Sequence, residues 1–462
     1  MQMFLIQNIA PIMFGFMVLM LAIGYPVAFT LAAHGLIFGV LGISLDLLSP
    51  QIYMSLPDRI FSVMSNETLL AIPFFTFMGL ILERSGMAEE LLETIGQLFG
   101  SVRGGLAYAV ILVGSLLAAT TGVVAASVIS MSLISIPIMM RYGYSHRIAA
   151  GVVVASGTLA QIIPPSLVLI VMADQLGRSV GDMYSGAILP SLGLVSLYAL
   201  YILGVNIMSP SSVPAIPVEE RVRYDLRGYV KALLTLMPPL FLVFLVLGTI
   251  FIGVATPTEG GAMGAMGALM IAYSRKRLNL TLLSQAMHST AKLACFVIFI
   301  LIGARVFSLT FYAVDGHVWV EHLLTALPGG RIGFLLFVNL LIFVLAFFLD
   351  FFELAFIVIP LLVPVANALG IDLVWFGVMI SVNLQTSFMH PPFGFSLFFL
   401  RSAAPKELRT TDIYYGAIPF VFLQLIMVAI LLVAPELAMS DKAPTEVLSP
   451  SAVDKMLEEL GQ

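Results

Sequence analysis

The proline pairs Pro164-Pro165 and Pro391-Pro392 stand inside apolar runs where unbroken helix would otherwise be expected. The first lies in ASGTLAQIIPPSLVLIVM, from Ala155 to Met172. Proline has no amide hydrogen and its ring clashes with the preceding turn, so the carbonyls of Ala160 and Gln161 lose their helical donors. Ile163 is pushed out of α geometry as well. Such carbonyls are costly in an apolar interior unless something binds them. A cation would satisfy them, helped by the hydroxyls of Ser156, Thr158 and Ser166 and by a backbone loosened at Gly157; neutral, hard oxygen ligands of this kind suit sodium. The second pair repeats the device in NLQTSFMHPPFGFSLFFL, Asn383 to Leu400. There Pro391 and Pro392 free the carbonyls of Ser387 and Phe388, beside the polar groups of Asn383, Gln385, Thr386 and Ser387. The alternative is that each pair merely kinks a packed helix, with Ser and Thr bonded back to the backbone. Two such motifs at equivalent positions, both flanked by polar residues, favour a site over a kink.

The equivalence rests on a repeat. An offset of 227 residues carries Pro137, Gly143, Pro164 and Pro165 onto Pro364, Gly370, Pro391 and Pro392. Ahead of each broken helix lies an apolar stretch that reads as a hairpin. The first tip is expected at ATTGVVAAS, where Thr120, Thr121 and Gly122 offer hydroxyls and a backbone able to turn tightly. The second stretch, FLDFFELAFIVIP, puts Asp350 and Glu353 in apolar surroundings. Carboxylates at bilayer depth cost about 2.5 to 3.5 kcal/mol on insertion scales and are functional suspects by default. The three-residue spacing is also that of a capping box, so Asp350 stands as ligand or as helix cap. Thr256-Pro-Thr-Glu259 reads as capping chemistry outright. Lys292 is expected to snorkel to the interface. Arg305, deeper in its run, either pairs with an acid or faces a partner subunit. His390 reads as a satisfied interior histidine, since Ile163 holds the same place in the first half.

The elements that carry these residues must lie in lipid. Of 462 residues, 60% are hydrophobic and 10% charged, against roughly 25% charged in soluble globular chains. Apolar stretches of spanning length recur from end to end, which makes the chain an all-α, polytopic membrane protein in a lipid bilayer. The N-terminal stretch lacks a basic region and a small-residue cleavage site, so the first span is expected to stay. The single cysteine, Cys295, excludes a disulfide framework, and no tract of the kind that binds nucleic acid occurs. Neither an HExxH nor a GxSxG motif suggests an enzyme.

The longest polar break, residues 209–231, reads as a cytoplasmic linker between two repeats. The first repeat is 1–208, with its hairpin at about 105–140 and its broken helix at about 148–172. The second is 232–436, with hairpin about 333–369 and broken helix about 372–400, followed by a polar tail, 437–462. With the linker inside, Arg84, Arg103, Arg141, Arg147, Arg275, Lys276, Arg277 and Arg401 share its side, whereas Arg59, Arg178 and Arg331 fall opposite. That bias closes only if both hairpins are re-entrant and the repeats inverted, an architecture of secondary transporters. GMAEELLETIGQLFG, from Gly86, reads as an amphipathic interfacial helix or an ordinary surface one. A channel, or an ion-coupled transporter working without a binding protein, remains the alternative.

Through ASGTLAQIIPPS, IFIGVATPTEGGAMGAMGAL, FFLDFFELAFIVIPLLVP and NLQTSFMHPPFGFSLFFLR, the chain resembles the large membrane subunit, DctM type, of tripartite ATP-independent periplasmic (TRAP) transporters. The likeness runs to about Pro435. It implies an elevator-type secondary transporter of the bacterial inner membrane, driven by sodium as the coupling ion. It also implies an organic acid delivered by a periplasmic substrate-binding protein, and a separate small four-helix membrane subunit. Carried over by motif, ion sites fall on Thr120, Thr121 and Gly122 with Ser156, Gly157 and Thr158, and on Asp350 with Gln385, Thr386 and Ser387; the freed carbonyls of Ala160, Gln161 and Phe388 complete the two candidate sets. Thr121, Ser166, Asp350 and Asn383 are the residues expected to line the substrate pocket. The first tip has fewer hydroxyls than many members carry.

Overall fold

The apolar runs fold as helix throughout. A computed structural model of the chain describes residues 2–221, 226–392 and 394–439, and every regular element among them is helical. The first half runs α1 (Gln2–Ile23), α2 (Val27–Ser44), α3 (Leu56–Met64), α4 (Ala71–Arg84), α5 (Met87–Leu98), α6 (Gly105–Thr121), α7 (Val124–Arg141), α8 (His146–Thr158), α9 (Leu167–Leu176) and α10 (Val180–Met208). The second runs α11 (Leu226–Phe251), α12 (Pro257–Ser274), α13 (Leu280–Ala313), α14 (Gly316–Thr325), α15 (Gly330–Leu345), α16 (Phe351–Ile357), α17 (Ile359–Ala368), α18 (Leu373–Leu384), α19 (Phe395–Ala403) and α20 (Thr410–Val433). Among the described residues eight helices are long and apolar enough to cross a membrane, or up to ten if each bent pair is one span. The chain is a multi-pass membrane protein.

The offset of 227 residues, found on four backbone-shaping residues, extends to whole elements. It carries α7 onto α16 and α17 together, α8 onto α18, α9 onto α19 and α5 onto α14. Gly143 and Gly370 belong to the match because each follows a helix end in left-handed backbone, φ 81° and 62°, where a Cβ is strained. The two halves differ at the hairpins. In the first, α7 runs unbroken through Pro137. In the second, the equivalent arm is bent by 49° between α16 and α17, with Pro360 in the first turn after the bend. Glu259 caps α12 as expected: Thr256 Oγ accepts from its amide at 3.3 Å and its carboxylate accepts from the Thr256 amide at 2.8 Å.

Layers follow from side-chain size. The residues of α8 from Ala149 to Thr158 and the whole of α18 are buried, whereas α1, α10 and α11 turn Leu19, Leu200 and Phe244 outward. Outward apolar faces of this kind fit lipid. Small residues let the inner helices close on their neighbours. A Cβ on Gly151 of α8 would stand 2.1 Å from the Gly416 carbonyl oxygen, and one on Gly416 of α20 would stand 2.2 Å from that of Arg147.

The linker is shorter than its polar composition implies, because α11 begins at Leu226, inside the expected 209–231. Leu226, Arg227 and Lys231 are good helix formers, so propensity continues past the polar boundary. Before it, the linker lies on the first hairpin: the amides of Gly104 and Ser145 donate to the carbonyls of Val213 and Ser212 at 2.9 and 3.0 Å, and that of Ile216 to Gly100 at 3.0 Å. Glu220 bridges Arg141 at 2.9 Å and accepts from the Tyr142 hydroxyl at 2.8 Å. Residues 222–225, and the tail from 440 onward, lie outside the described residues.

Candidate functional site

Both proline pairs interrupt their helices. After α8 the chain tightens into a 3-10 turn over Leu159–Gln161, with the Ile162 and Ile163 amides both donating to the Leu159 carbonyl. The Pro164-Pro165 peptide is cis, and Ser166 then caps α9, accepting from the Leu169 amide at 3.4 Å. The Ser166 hydroxyl donates to the Gln161 carbonyl. That corrects the expectation that the Gln161 carbonyl is free: the serine supplied by the next helix takes the place of the missing amide. The Ala160 carbonyl has no donor among the described residues. The second break follows the same plan, through a 3-10 turn over Gln385–Phe388 and a cis Pro391-Pro392 peptide. There the Ser396 hydroxyl donates to the Phe388 carbonyl, so Phe388 is corrected likewise.

Most hydroxyls at the breaks bond back to their own helix. Thr120 donates to the Leu117 carbonyl at 3.0 Å, Thr158 to Ala155 at 2.9 Å, Thr386 to Asn383 at 2.7 Å and Ser387 to Leu384 at 2.7 Å. A hydroxyl that donates still has lone pairs to offer. Several buried oxygens have no partner at all among the described residues: Ser156 Oγ, Gln161 Oε1, Asn383 Oδ1, Gln385 Oε1 and Gln424 Oε1. Buried polar groups are nearly always satisfied, so an orphan set of acceptors on both broken helices calls for an ion or water.

The two breaks meet. Gln385 Nε2 donates to Thr158 Oγ1 at 3.1 Å, and these residues are 227 apart, the spacing of the repeat itself. Thr158 Oγ1 also lies 3.5 Å from Met389 Sδ, and Gln424 Nε2 reaches both Met389 Sδ, at 3.3 Å, and the Tyr198 hydroxyl, at 3.0 Å. Gln424, Tyr198 and Met389 were not among the candidates. The long apolar helices α10 and α20 hide Tyr198 and Gln424 in sequence, although the two are nearly one repeat apart, whereas Met389 lies in the turn of the break itself.

Each hairpin closes on the break of its own half. Gly122 turns the first tip with φ 58°, and a Cβ there would stand 3.5 Å from the Pro165 carbonyl oxygen and 3.4 Å from Leu167 Cγ. Along the arms, Gly114 of α6 faces Ser156 and Val128 of α7 packs on Gly157. The side chain of Thr121 lies outside the described residues. The second hairpin meets its break through Asn339 of α15, whose carbonyl and side-chain oxygens accept from Asn383 Nδ2 at 2.8 and 2.9 Å. His390 is buried between Phe347, stacked at 4.1 Å, and Phe343, edge-on at 4.4 Å. Among the described residues neither ring nitrogen makes a hydrogen bond of ordinary geometry, although the Ala346 backbone acts on the ring, and the histidine is interior as expected.

Asp350 caps α16 reciprocally with Glu353: its carboxylate accepts from the Glu353 amide at 2.9 Å, and that of Glu353 accepts from the Asp350 amide at 2.9 Å. No hydrogen bond joins it to Gln385, Thr386 or Ser387 among the described residues. The structure thus brings together Gly122 with the first break, Asn383 with Asn339, and Thr158 with Gln385, but leaves Asp350 in its capping box.

Residues 14–437 match the family model described as tripartite ATP-independent periplasmic transporter, DctM component. A C4-dicarboxylate TRAP transporter large permease protein from Pseudomonas aeruginosa is 30% identical over 85% of this chain and 90% of that protein. A sialic acid TRAP transporter large permease protein from Vibrio cholerae is 27% identical over 92% of the chain and 96% of its own length. Among solved structures, the Alcanivorax borkumensis YdaH transporter aligns with TM-score 0.61 over 84% of the chain and 90% of that one, at 14% identity, a likeness of fold alone.

Proposed function

The chain belongs to the DctM family of tripartite ATP-independent periplasmic transporters, and from that premise we propose that it is the translocating subunit of a sodium-driven uptake system for an organic acid. One observation carries the coupling ion. Ser156 Oγ, Gln161 Oε1 and Gln385 Oε1 are buried and unpartnered on two broken helices that touch each other. Each such group costs about 1 to 3 kcal/mol when left unmade, and neutral oxygens with free backbone carbonyls are what a sodium ion accepts at a discontinuous helix. The named cargoes of both cited relatives are acids.

The system is completed by a small four-helix membrane subunit and a periplasmic binding protein that delivers the acid. The membrane is the bacterial inner membrane, the repeats are inverted with the linker on the cytoplasmic side, and substrate crosses by an elevator movement. Proteoliposomes holding this chain and the small subunit should take up the acid only when binding protein is outside and sodium runs inward. Sodium-independent flux that ignores the binding protein would overturn the proposal.

A further inference from the structure

A cavity of about 800 Å³, whose lining includes no residue of either proline break, lies between Arg59 on α3, Arg305 and Ser308 on α13, Asp174 near the end of α9, and Pro360 of the second hairpin. A smaller one of about 330 Å³ shares Arg59 and Arg305 and adds Asp58. Arg305 sits roughly two turns, ~12 Å, from the C-terminal end of a 34-residue apolar helix. A cation at that depth normally has a partner.

Neither arginine has an acidic partner among the described residues. The ion pairs among the described residues are Arg141–Glu220, Arg147–Asp412 and Arg275–Glu90. Arg59 reaches only the Ser55 hydroxyl, at 3.4 Å, and Arg305 makes no hydrogen bond among the described residues. Asp174 lines the same cavity, where its two oxygens accept from Asn66 Nδ2 at 2.6 Å and Gln175 Nε2 at 2.7 Å, and among the described residues it forms no ion pair with either arginine. Asp58 is exposed and, among the described residues, in no ion pair.

Two guanidinium groups facing one cavity repel each other, and a carboxylate relieves both, since each guanidinium offers a planar fork that matches it. We propose that this cavity is an anion-binding vestibule, in which Arg59 and Arg305 gather the carboxylate of the water-soluble cargo before it reaches the breaks. The cavity touches both halves of the proposed ion site's surroundings, since α9 follows the first break and Pro360 belongs to the second hairpin. Under the proposed orientation Arg59 lies opposite the linker, so the vestibule faces the side from which the acid arrives. Calling the anion cargo rests on the transport reading; the anion site itself does not.

The test therefore avoids transport. In the full chain with Cys295→Ser, a Ser308→Cys substitution reports on the cavity through its reaction rates with an anionic and a cationic methanethiosulfonate. In phosphatidylcholine nanodiscs the anionic reagent should react roughly tenfold faster or more, because two guanidinium groups not tied up in ion pairs concentrate counter-ions in a cleft on that scale. Arg59→Gln with Arg305→Gln should abolish the preference, Arg305→Lys should keep it, and millimolar succinate should slow labelling where sodium chloride of equal ionic strength does not. An absent preference, or one unmoved by the double glutamine variant in protein that remains monodisperse, overturns the proposal. So does protection by phosphatidylglycerol without protection by succinate, which would assign the site to a lipid headgroup. A transport assay that fails while this preference stands would overturn the coupling scheme and leave the vestibule.

Discussion

The first and second breaks share a backbone plan and differ in what closes over them. Small residues close the first: Gly122 on Pro165 and Leu167, Gly114 on Ser156. Aromatic and amide groups close the second, with Phe343 and Phe347 around His390 and Asn339 on Asn383. A third pair, Pro238-Pro239, sharpens the contrast, since α11 continues through it as one helix. Both breaking pairs are followed by a serine, Ser166 or Ser396, that takes a stranded carbonyl, whereas Pro239 is followed by Leu-Phe-Leu-Val. Two prolines do not make a break by themselves; the downstream hydroxyl and the hairpin that covers it complete one.

The largest effect should come from erasing that distinction. Pro164→Ala with Pro165→Ala restores helical donors and should weaken apparent sodium affinity in proteoliposome uptake roughly tenfold or more, the scale of ~1.5 to 3 kcal/mol of lost contacts to a charge. Pro238→Ala with Pro239→Ala should leave sodium affinity alone. Equal effects of the two would return the broken helices to ordinary kinks. Closure can be compared next by thermal unfolding. Phe347→Ala should cost about 2 kcal/mol through the hole left beside His390, and Gly122→Val about 1 to 2 kcal/mol because the tip is left-handed. An inert Gly122→Val would show that the first tip is not held in left-handed backbone.

The contact between halves should be weaker. A double-mutant cycle on Thr158→Val and Gln385→Leu should give a coupling of about 0.6 to 1.7 kcal/mol, the range for hydrogen bonds between membrane helices; zero coupling would separate the breaks energetically. Asp350 should give the smallest stability change. Asp350→Ala removes a cap worth about 1 kcal/mol, and Asp350→Asn restores most of it, since asparagine is an equally good cap. If Asp350→Asn keeps stability but loses sodium affinity, the residue is a ligand; if it keeps both, the residue is a cap alone.

The breaks, hairpins and repeat were legible in sequence because each is written in local backbone chemistry: Pro137, Gly143 and the proline pairs act on their own turns. Even the reciprocal cap of Asp350 and Glu353 follows from their spacing. What escaped depends on which helix lies beside which. Nothing local to Thr158 points to Gln385, although their shared register in the repeat offered a hint. The Ser166 and Ser396 hydroxyls were read as open, or passed over, because a side chain's reach back across a proline turn is set by the fold. Arg305 and Arg59 are about 250 residues apart, and only packing sets them on one cavity.

Where α8 crosses α20, main chain rests on main chain, Gly151 against the Gly416 carbonyl and Gly416 against that of Arg147. Arg147 adds an ion pair to Asp412 at 3.3 Å and lies over the Tyr415 ring. Side chains can switch rotamer and let neighbours slide, but a carbonyl seated on an α-carbon has no such slack. The crossing rivets a helix of the first repeat to one of the second. Under the proposed elevator movement, any part that travels with α8 would take α20 with it, a carriage cut across the duplication with planks from both copies rather than one repeat sliding as a piston on the other.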